Sequence, residues 1–298
     1  EQHRFGVLQR HSLIRKGLPP DVLVMTATPI PRTLALTLYG DLDTSVIDES
    51  PPGRAPIETR LLEDGDRAQS LELIRERVRA GEQAYVVYPV IEESEKLDVQ
   101  AAVRMHQHLS TNVFPEFRVG LLHGRLSGAE KESAMLAFKR GETQVLVSTT
   151  VIEVGVDVPN ATVMLIEHAD RFGLAQLHQL RGRIGRGRAK SYCLLLAGQP
   201  RTEVADERLR ALAETTDGFR IAEMDLKIRG PGEFFGTRQW GIPAFRVANL
   251  LRDQTILGWA RREAGAFIDH PASKEEFENY VRYLRRIWPR RYGLASVA

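Results

Sequence analysis

Gln144-Val145-Leu146-Val147-Ser148 and Thr162-Val163-Met164-Leu165-Ile166 are two short apolar runs rich in β-branched residues. Neither alternates apolar with polar positions, the pattern of a strand covered on both faces. Working outward, Ile57–Leu62, Ala84–Tyr88, Phe117–Leu122 and Ser191–Leu196 read the same way. Helical periods lie between them. Leu71, Ile74 and Val78 repeat at helical spacing within Asp66–Ala80. Leu97–Leu109 is a second helix. Ser127-Gly128-Ala129-Glu130 has capping-box spacing and opens a third, through Phe138. Gly173–Arg181 is a fourth. Strands that alternate with helices over this length predict an α/β fold: a largely parallel sheet with helices on both faces. Such sheets bind ligands at the carboxyl ends of their strands.

The flanks differ. Val22–Thr26 reads as a buried strand and Pro31–Tyr39 as a helix, with Pro31 early, where its missing N–H is harmless. Asp48–Pro56, with Pro51, Pro52, Gly53 and Pro56, reads as a linker. After residue 200, Arg201–Thr216 and Gly218–Ile228 predict a helical pair. A Gly-rich loop follows from Arg229-Gly230-Pro231-Gly232 to Gly241, then helices over Gln254–Ile268 and Lys274–Ile287.

Composition sets outer bounds. The 298 residues suit about two domains. No apolar run approaches the roughly 20 residues that span a bilayer, and the first residues are not a signal peptide. The expected location is cytoplasmic and nucleoid-associated. The single cysteine, Cys193, excludes an internal disulfide and reads as a buried strand thiol. A net charge of +2 is too small to diagnose a nucleic-acid binder. Its distribution is suggestive: Arg282, Arg285, Arg286, Arg290 and Arg291 crowd the end of the chain, interleaved with Tyr283, Trp288 and Tyr292. This is either a phosphate-contacting tail with stacking rings or a solvated amphipathic end.

The strongest chemical signal is Gln179-Leu180-Arg181-Gly182-Arg183-Ile184-Gly185-Arg186-Gly187. Glycines permit positive φ and close backbone approach. Guanidinium groups are permanently charged and fork onto phosphate oxygens. On a tight turn across a cleft from a nucleotide, they can stabilise charge on a transferred phosphoryl group. Two further loops follow strands. Ser148-Thr149-Thr150 leads to Gly155-Val156-Asp157-Val158-Pro159, with hydroxyls where a phosphate backbone could be held; Asp157 alone could be only a turn former. Leu122-His123-Gly124-Arg125 reads either as a nucleic-acid contact or as a structural turn.

These segments resemble the motifs of superfamily 2 helicases. Gln179–Arg186 matches the pattern Q-x-x-G-R-x-G-R of motif VI, which implies that Gln179 orients the site and that Arg183 and Arg186 are arginine fingers. Ser148–Pro159 resembles motif V. It implies phosphate contact by Ser148 and Thr149, with Gly155 and Asp157 near the nucleotide. His123 and Arg125 fall in the motif between IV and V, and Tyr88–Ser94 resembles motif IV. Thr26-Ala27-Thr28-Pro29-Ile30-Pro31-Arg32-Thr33 resembles motif III, so Thr26 and Thr28 would relay nucleotide state. Glu1-Gln2-His3 resembles the end of motif II, D-E-Q-H, making Glu1 the catalytic glutamate of a chain that begins inside that motif.

The order of helical pair, Arg229-Gly230-Pro231-Gly232 and Gly236-Thr237-Arg238-Gln239 is similar to the translocation motif of the RecG family, with Arg229, Arg238 and Gln239 touching DNA or one another. The resemblance implies a RecA-like fold and ATP with Mg²⁺ as cofactors, both bound mainly by a first domain. It implies action on branched duplex DNA such as forks and Holliday junctions, with a single-strand-binding protein as a candidate partner. It divides the chain into a remnant of a first RecA-like domain (1–50), a second RecA-like domain (51–200), and a translocation hairpin with a helical end (201–298). None of the seven lysines follows a glycine, so the phosphate-cradling G-K-[ST] loop is missing and this chain alone is expected to be ATPase-inactive. Two other readings stay open: a transcription-repair coupling translocase, and a nucleic-acid-binding module without catalysis.

Overall fold

The computed structural model describes residues 23, 25–26, 45–47, 49, 55–89, 95–149, 156–234 and 252–287. The chain divides into two compact units, residues 48–225 and residues 1–47 with 226–298.

The first of these holds a six-stranded sheet. Its strands are β1 (Ile57–Glu63), β2 (Gln83–Val87), β3 (Val119–Leu122), β4 (Val145–Ser148), β5 (Ala161–Ile166) and β6 (Ser191–Ala197). The spatial order is β1-β6-β5-β2-β4-β3 and every pairing is parallel. The central strands β2, β4 and β5 are buried at every position, whereas the edge strands β1 and β3 are mostly half-buried. This is the double coverage that the absence of alternation predicts.

Helices α1 (Arg67–Arg79), α2 (Glu95–His108), α3 (Gly128–Lys139), α4 (Leu174–Arg181) and α5 (Glu203–Glu214) supply the cover. On one face, Ile74 and Val78 of α1 join Leu109 and Phe114 against alternate strand residues, among them Val86, Val147 and Leu165. The intervening residues point the other way: Tyr85 of β2 lies 4.8 Å, centroid to centroid, from Phe138 of α3. Cys193 is fully buried in β6, and burial pushes its thiol up to about 12. The capping box of α3 is formed: the Glu130 amide donates to the Ser127 hydroxyl at 3.3 Å, and the Ser127 amide to the Glu130 carboxylate at 2.7 Å.

After α5, Asp217 accepts from the Phe219 amide at 2.9 Å where α6 (Gly218–Phe234) begins. In the second unit, α7 (Gln254–Asp269) and α8 (Lys274–Ile287) meet through Phe267, whose ring is 5.3 Å from that of Tyr280 and 6.2 Å from that of Phe277.

Two expectations need correction. Arg229-Gly230-Pro231-Gly232 does not start a loop; it lies within α6, which runs on to Phe234. Glycine and proline oppose helix locally, but adding turns to a helix already nucleated upstream is far easier than starting one. At the front, Leu23 and Met25 are 80% and 67% exposed and, with Thr26, belong to no strand. Ladder pairing, and not the apolar run itself, makes a strand, and the described pairings are those of β1–β6. The helix expected over Pro31–Tyr39 lies outside the described residues.

Candidate nucleotide-facing turn and nucleic-acid edge

Helix α4 ends at Arg181, and the Gly182 amide closes it onto the His178 carbonyl at 3.0 Å. The turn that follows uses its glycines sterically. Gly185 has φ +68, a left-handed conformation, and a Cβ there would lie 2.6 Å from Ile57 Cγ1. A Cβ on Gly187 would lie 2.6 Å from the Pro159 carbonyl oxygen. The arginine turn is therefore pressed directly against the segment that carries Asp157.

That contact brings two expected site residues together. Arg186 Nη1 is 3.1 Å from Asp157 Oδ1, and Arg186 Nε donates to the Gly182 carbonyl at 3.2 Å. Arg183 is half-buried on the same turn, its amide bonded to the Leu180 carbonyl at 2.9 Å. All three charges act on one buried group. Burial pushes the Tyr85 hydroxyl up to about 12, Arg183 and Arg186 pull it down, and Asp157 raises it. Gln179 is half-buried on α4.

A second cluster lies along the carboxyl edge of the sheet. Leu122, Ser148, Val87 and Ile166 are in register across β3, β4, β2 and β5. The residues after them, His123, Thr149, Tyr88 and Glu167, therefore form one row. Among the described residues, His123 Nδ1 and Thr149 Oγ1 are buried without a hydrogen-bond partner. Such orphans are uncommon and call for a ligand or water. Burial, then the positive charge of Lys131, holds the His123 imidazole below its ordinary value. Arg125 is exposed, and Lys131 Nζ donates to the Gly124 carbonyl at 2.7 Å beside it. Ser148 is different: it is fully buried and its hydroxyl donates to the Thr149 carbonyl at 2.7 Å, so it helps shape the loop and presents no group at the surface.

Two residues of consequence carry no motif signal. Arg181 is 2% exposed, with its guanidinium turned inward. Its position shares the helical spacing of Leu174 and Leu177, which was the available clue. Glu167 is 4% exposed and pairs with Arg67 at 2.9 Å, while Tyr88 donates to it at 3.3 Å. Burial, then the Glu167 charge, pushes the Tyr88 hydroxyl well above the usual phenol range.

Thr26 is exposed in irregular backbone. Glu1, Thr28, Gly155, Arg238 and Gln239 lie outside the described residues, as does the side chain of Arg229. Among the described residues no group of three or more His, Cys, Asp or Glu could hold a metal ion. Arg183 and Arg186 carry the kind of charge that a nucleotide phosphate would need.

Residues 67–188 match the helicase conserved C-terminal domain, and residues 215–291 match ATP-dependent DNA helicase RecG, domain 3, C-terminal. This is a RecG-like superfamily 2 helicase chain. RecG of Synechocystis sp. is 60% identical over 89% of the chain and 32% of its own length. RecG of Thermotoga maritima is 58% identical over 88% of the chain and 34% of its own length. RecG of Bacillus subtilis is 51% identical over 94% and 41%. The chain thus spans a third or somewhat more of the length of these RecG relatives. A solved RecG bound to a three-way DNA junction superposes with a TM-score of 0.66 at 52% identity, over 87% of this chain and 33% of that one. The RecA-like parallel sheet with a helical C-terminal segment is the RecG fold. No helix among the described residues is long and apolar enough to cross a membrane.

Proposed function

We propose that this chain is the finger-bearing and coupling part of an ATP-dependent duplex DNA translocase that migrates branched DNA and regresses stalled forks. The observation that carries the reading is the Gly-hinged turn that seats Arg186 against Asp157 beside Arg183. Permanent charge held at the surface by a fixed backbone is what a developing phosphoryl charge requires, and it need not reorganise when the reaction occurs.

In this reading Gln179 orients the site and Arg183 and Arg186 face the γ-phosphate. Asp157 holds Arg186 until nucleotide arrives. ATP and Mg²⁺ sit mainly on a first RecA-like domain, where Glu1 polarises the attacking water and Thr26 and Thr28 sense nucleotide state. Residues 1–50 belong to that domain, 51–200 form the second RecA-like domain, and 201–298 form the translocation hairpin and helical end. His123 Nδ1 and Thr149 Oγ1, buried without a partner, take phosphate oxygens of the DNA backbone once the loops at this sheet edge part to admit them, with the exposed Arg125 adding charge. Arg229, Arg238 and Gln239 grip the duplex. The superposed RecG structure, bound to a three-way junction, supports branched DNA as the substrate. A single-strand-binding protein as partner and a nucleoid location complete the proposal.

The test is Arg186→Ala in a full-length protein that carries this chain. DNA-stimulated ATP turnover should fall by roughly three orders of magnitude, while fork affinity at fixed salt changes little. Unchanged turnover, or an equal loss of turnover and binding, would overturn the finger assignment.

A further inference from the structure

Arg181 ends α4, one residue before the finger turn, yet its guanidinium points away from that turn. Its Nη1 donates to the Leu212 carbonyl at 2.6 Å, the Thr215 carbonyl at 2.9 Å and the Thr59 hydroxyl at 3.3 Å; its Nη2 meets His178 Nδ1 at 3.1 Å. Guanidinium is only a donor, so His178 Nδ1 must accept, and the ring carries its proton on Nε2. All four partners are uncharged, and burial holds the guanidinium below its usual value.

Placing a cation at 2% exposure without a carboxylate is unfavourable, and an apolar side chain of the same length would fill the space at less desolvation. What the arginine supplies instead is direction. The Leu212 and Thr215 carbonyls are at the C-terminal end of α5, where carbonyls lack intrahelical partners and the helix dipole is negative. One planar group thus joins the last turn of α4, the end of α5 and strand β1. The joint lies close to α6 as well. Thr215 and Thr216 are the whole segment between Glu214, the last residue of α5, and Asp217, which caps α6. Within it, Thr215 Oγ1 accepts from the Asp217 amide at 3.1 Å.

We propose that Arg181 is a positioning residue that ties the finger turn to the α5–α6 hairpin, so that hydrolysis is coupled to movement on DNA. This deepens the function proposed above and rests on it. A shift of Arg183 and Arg186 toward nucleotide moves the end of α4, and the guanidinium carries that shift to the end of α5.

The experiment compares Arg181→Met, Arg181→Lys and Arg186→Ala in a full-length protein carrying this chain. ATP turnover, KM for ATP and fork unwinding are measured on the same DNA, with thermal unfolding as a check of folding. For Arg181→Met the expected result is a near-normal KM and turnover with unwinding lowered about tenfold, so that more ATP is consumed per base pair moved. Arg181→Lys, which retains a donor, should recover part of the loss. If turnover and unwinding fall together in both variants, Arg181 is only structural and the inference is overturned. Should Arg181→Met not fold, the ratio in Arg181→Lys decides: a raised ATP consumption per base pair supports the joint, and an unchanged ratio overturns it. Arg186→Ala separates the two claims. Normal turnover in that variant removes the finger reading itself, whereas lost turnover there with normal coupling in the Arg181 variants removes only the joint.

Discussion

Gly187 has no room for a side chain, because its Cβ would press on the Pro159 carbonyl, part of the backbone. Gly187→Ala should therefore push apart the arginine turn and the Asp157 segment and lower stability by about 1–3 kcal/mol, measurable by urea unfolding. The Arg186–Asp157 pair behaves differently. Both side chains retain solvent contact, and an ion pair of that kind contributes about 0–1 kcal/mol. Asp157→Asn should leave the unfolding midpoint almost unchanged. A large loss of stability would show that the pair is structural. The turn that carries Arg183 and Arg186 was legible because glycine spacing marks it, whereas Asp157 alone read equally well as a turn former. Arg181 was not legible, since the same Arg-Gly pattern describes an outward and an inward arginine equally well. Its helical spacing with Leu174 and Leu177 was the one clue to the inward setting, and the position of α5 shows where the guanidinium goes.

At the scale of elements, the row after β3, β4, β2 and β5 makes two tests. Folding depresses the His123 titration, so the unfolded chain binds the proton more readily. The contribution to stability is full above the ordinary histidine value of 6.5 and declines as pH falls through it, until the folded group also protonates. His123→Asn should flatten that part of the pH–stability curve; an unaltered slope would exclude the residue. A nearby phosphate would favour the protonated ring, so DNA affinity at constant salt should rise between about pH 8 and about pH 6 in the parent and less in the variant. Further along the row, Arg67→Ala leaves the buried Glu167 carboxylate with Tyr88 alone. Because Arg67 is 37% exposed, the expected loss is about 2–3 kcal/mol, below that of a fully buried pair. Calorimetry of this variant checks it. The elements themselves were visible from apolar runs and helical spacing, and Lys274–Ile287 was bounded correctly. Elsewhere ends moved by a few residues, since caps and register set them: Phe117 was expected in β3, yet that strand begins at Val119. The largest miss, the extension of α6 through Gly230 and Pro231, reflects cooperativity that a reading of local preference does not contain.

For the molecule as a whole, residues 48–225 hold a complete sheet with both faces covered. Expressed alone, they should unfold in one cooperative transition; separate transitions seen by fluorescence and circular dichroism would contradict this. The sheet order has a further consequence for synthesis. Among the described residues β1 bonds only to β6, and the chain between Glu63 and Ser191 contains the other described strands of the sheet. The first of these strands to leave the ribosome must wait for the last before its amides find partners, a closure of long range that slows folding. During that interval Ile57–Glu63 is an open edge to which another nascent copy could add. A ribosome stalled before it reaches Ser191 would therefore release an aggregation-prone polypeptide, and any shortened version should keep Ser191–Ala197 or lose Ile57–Glu63 along with it.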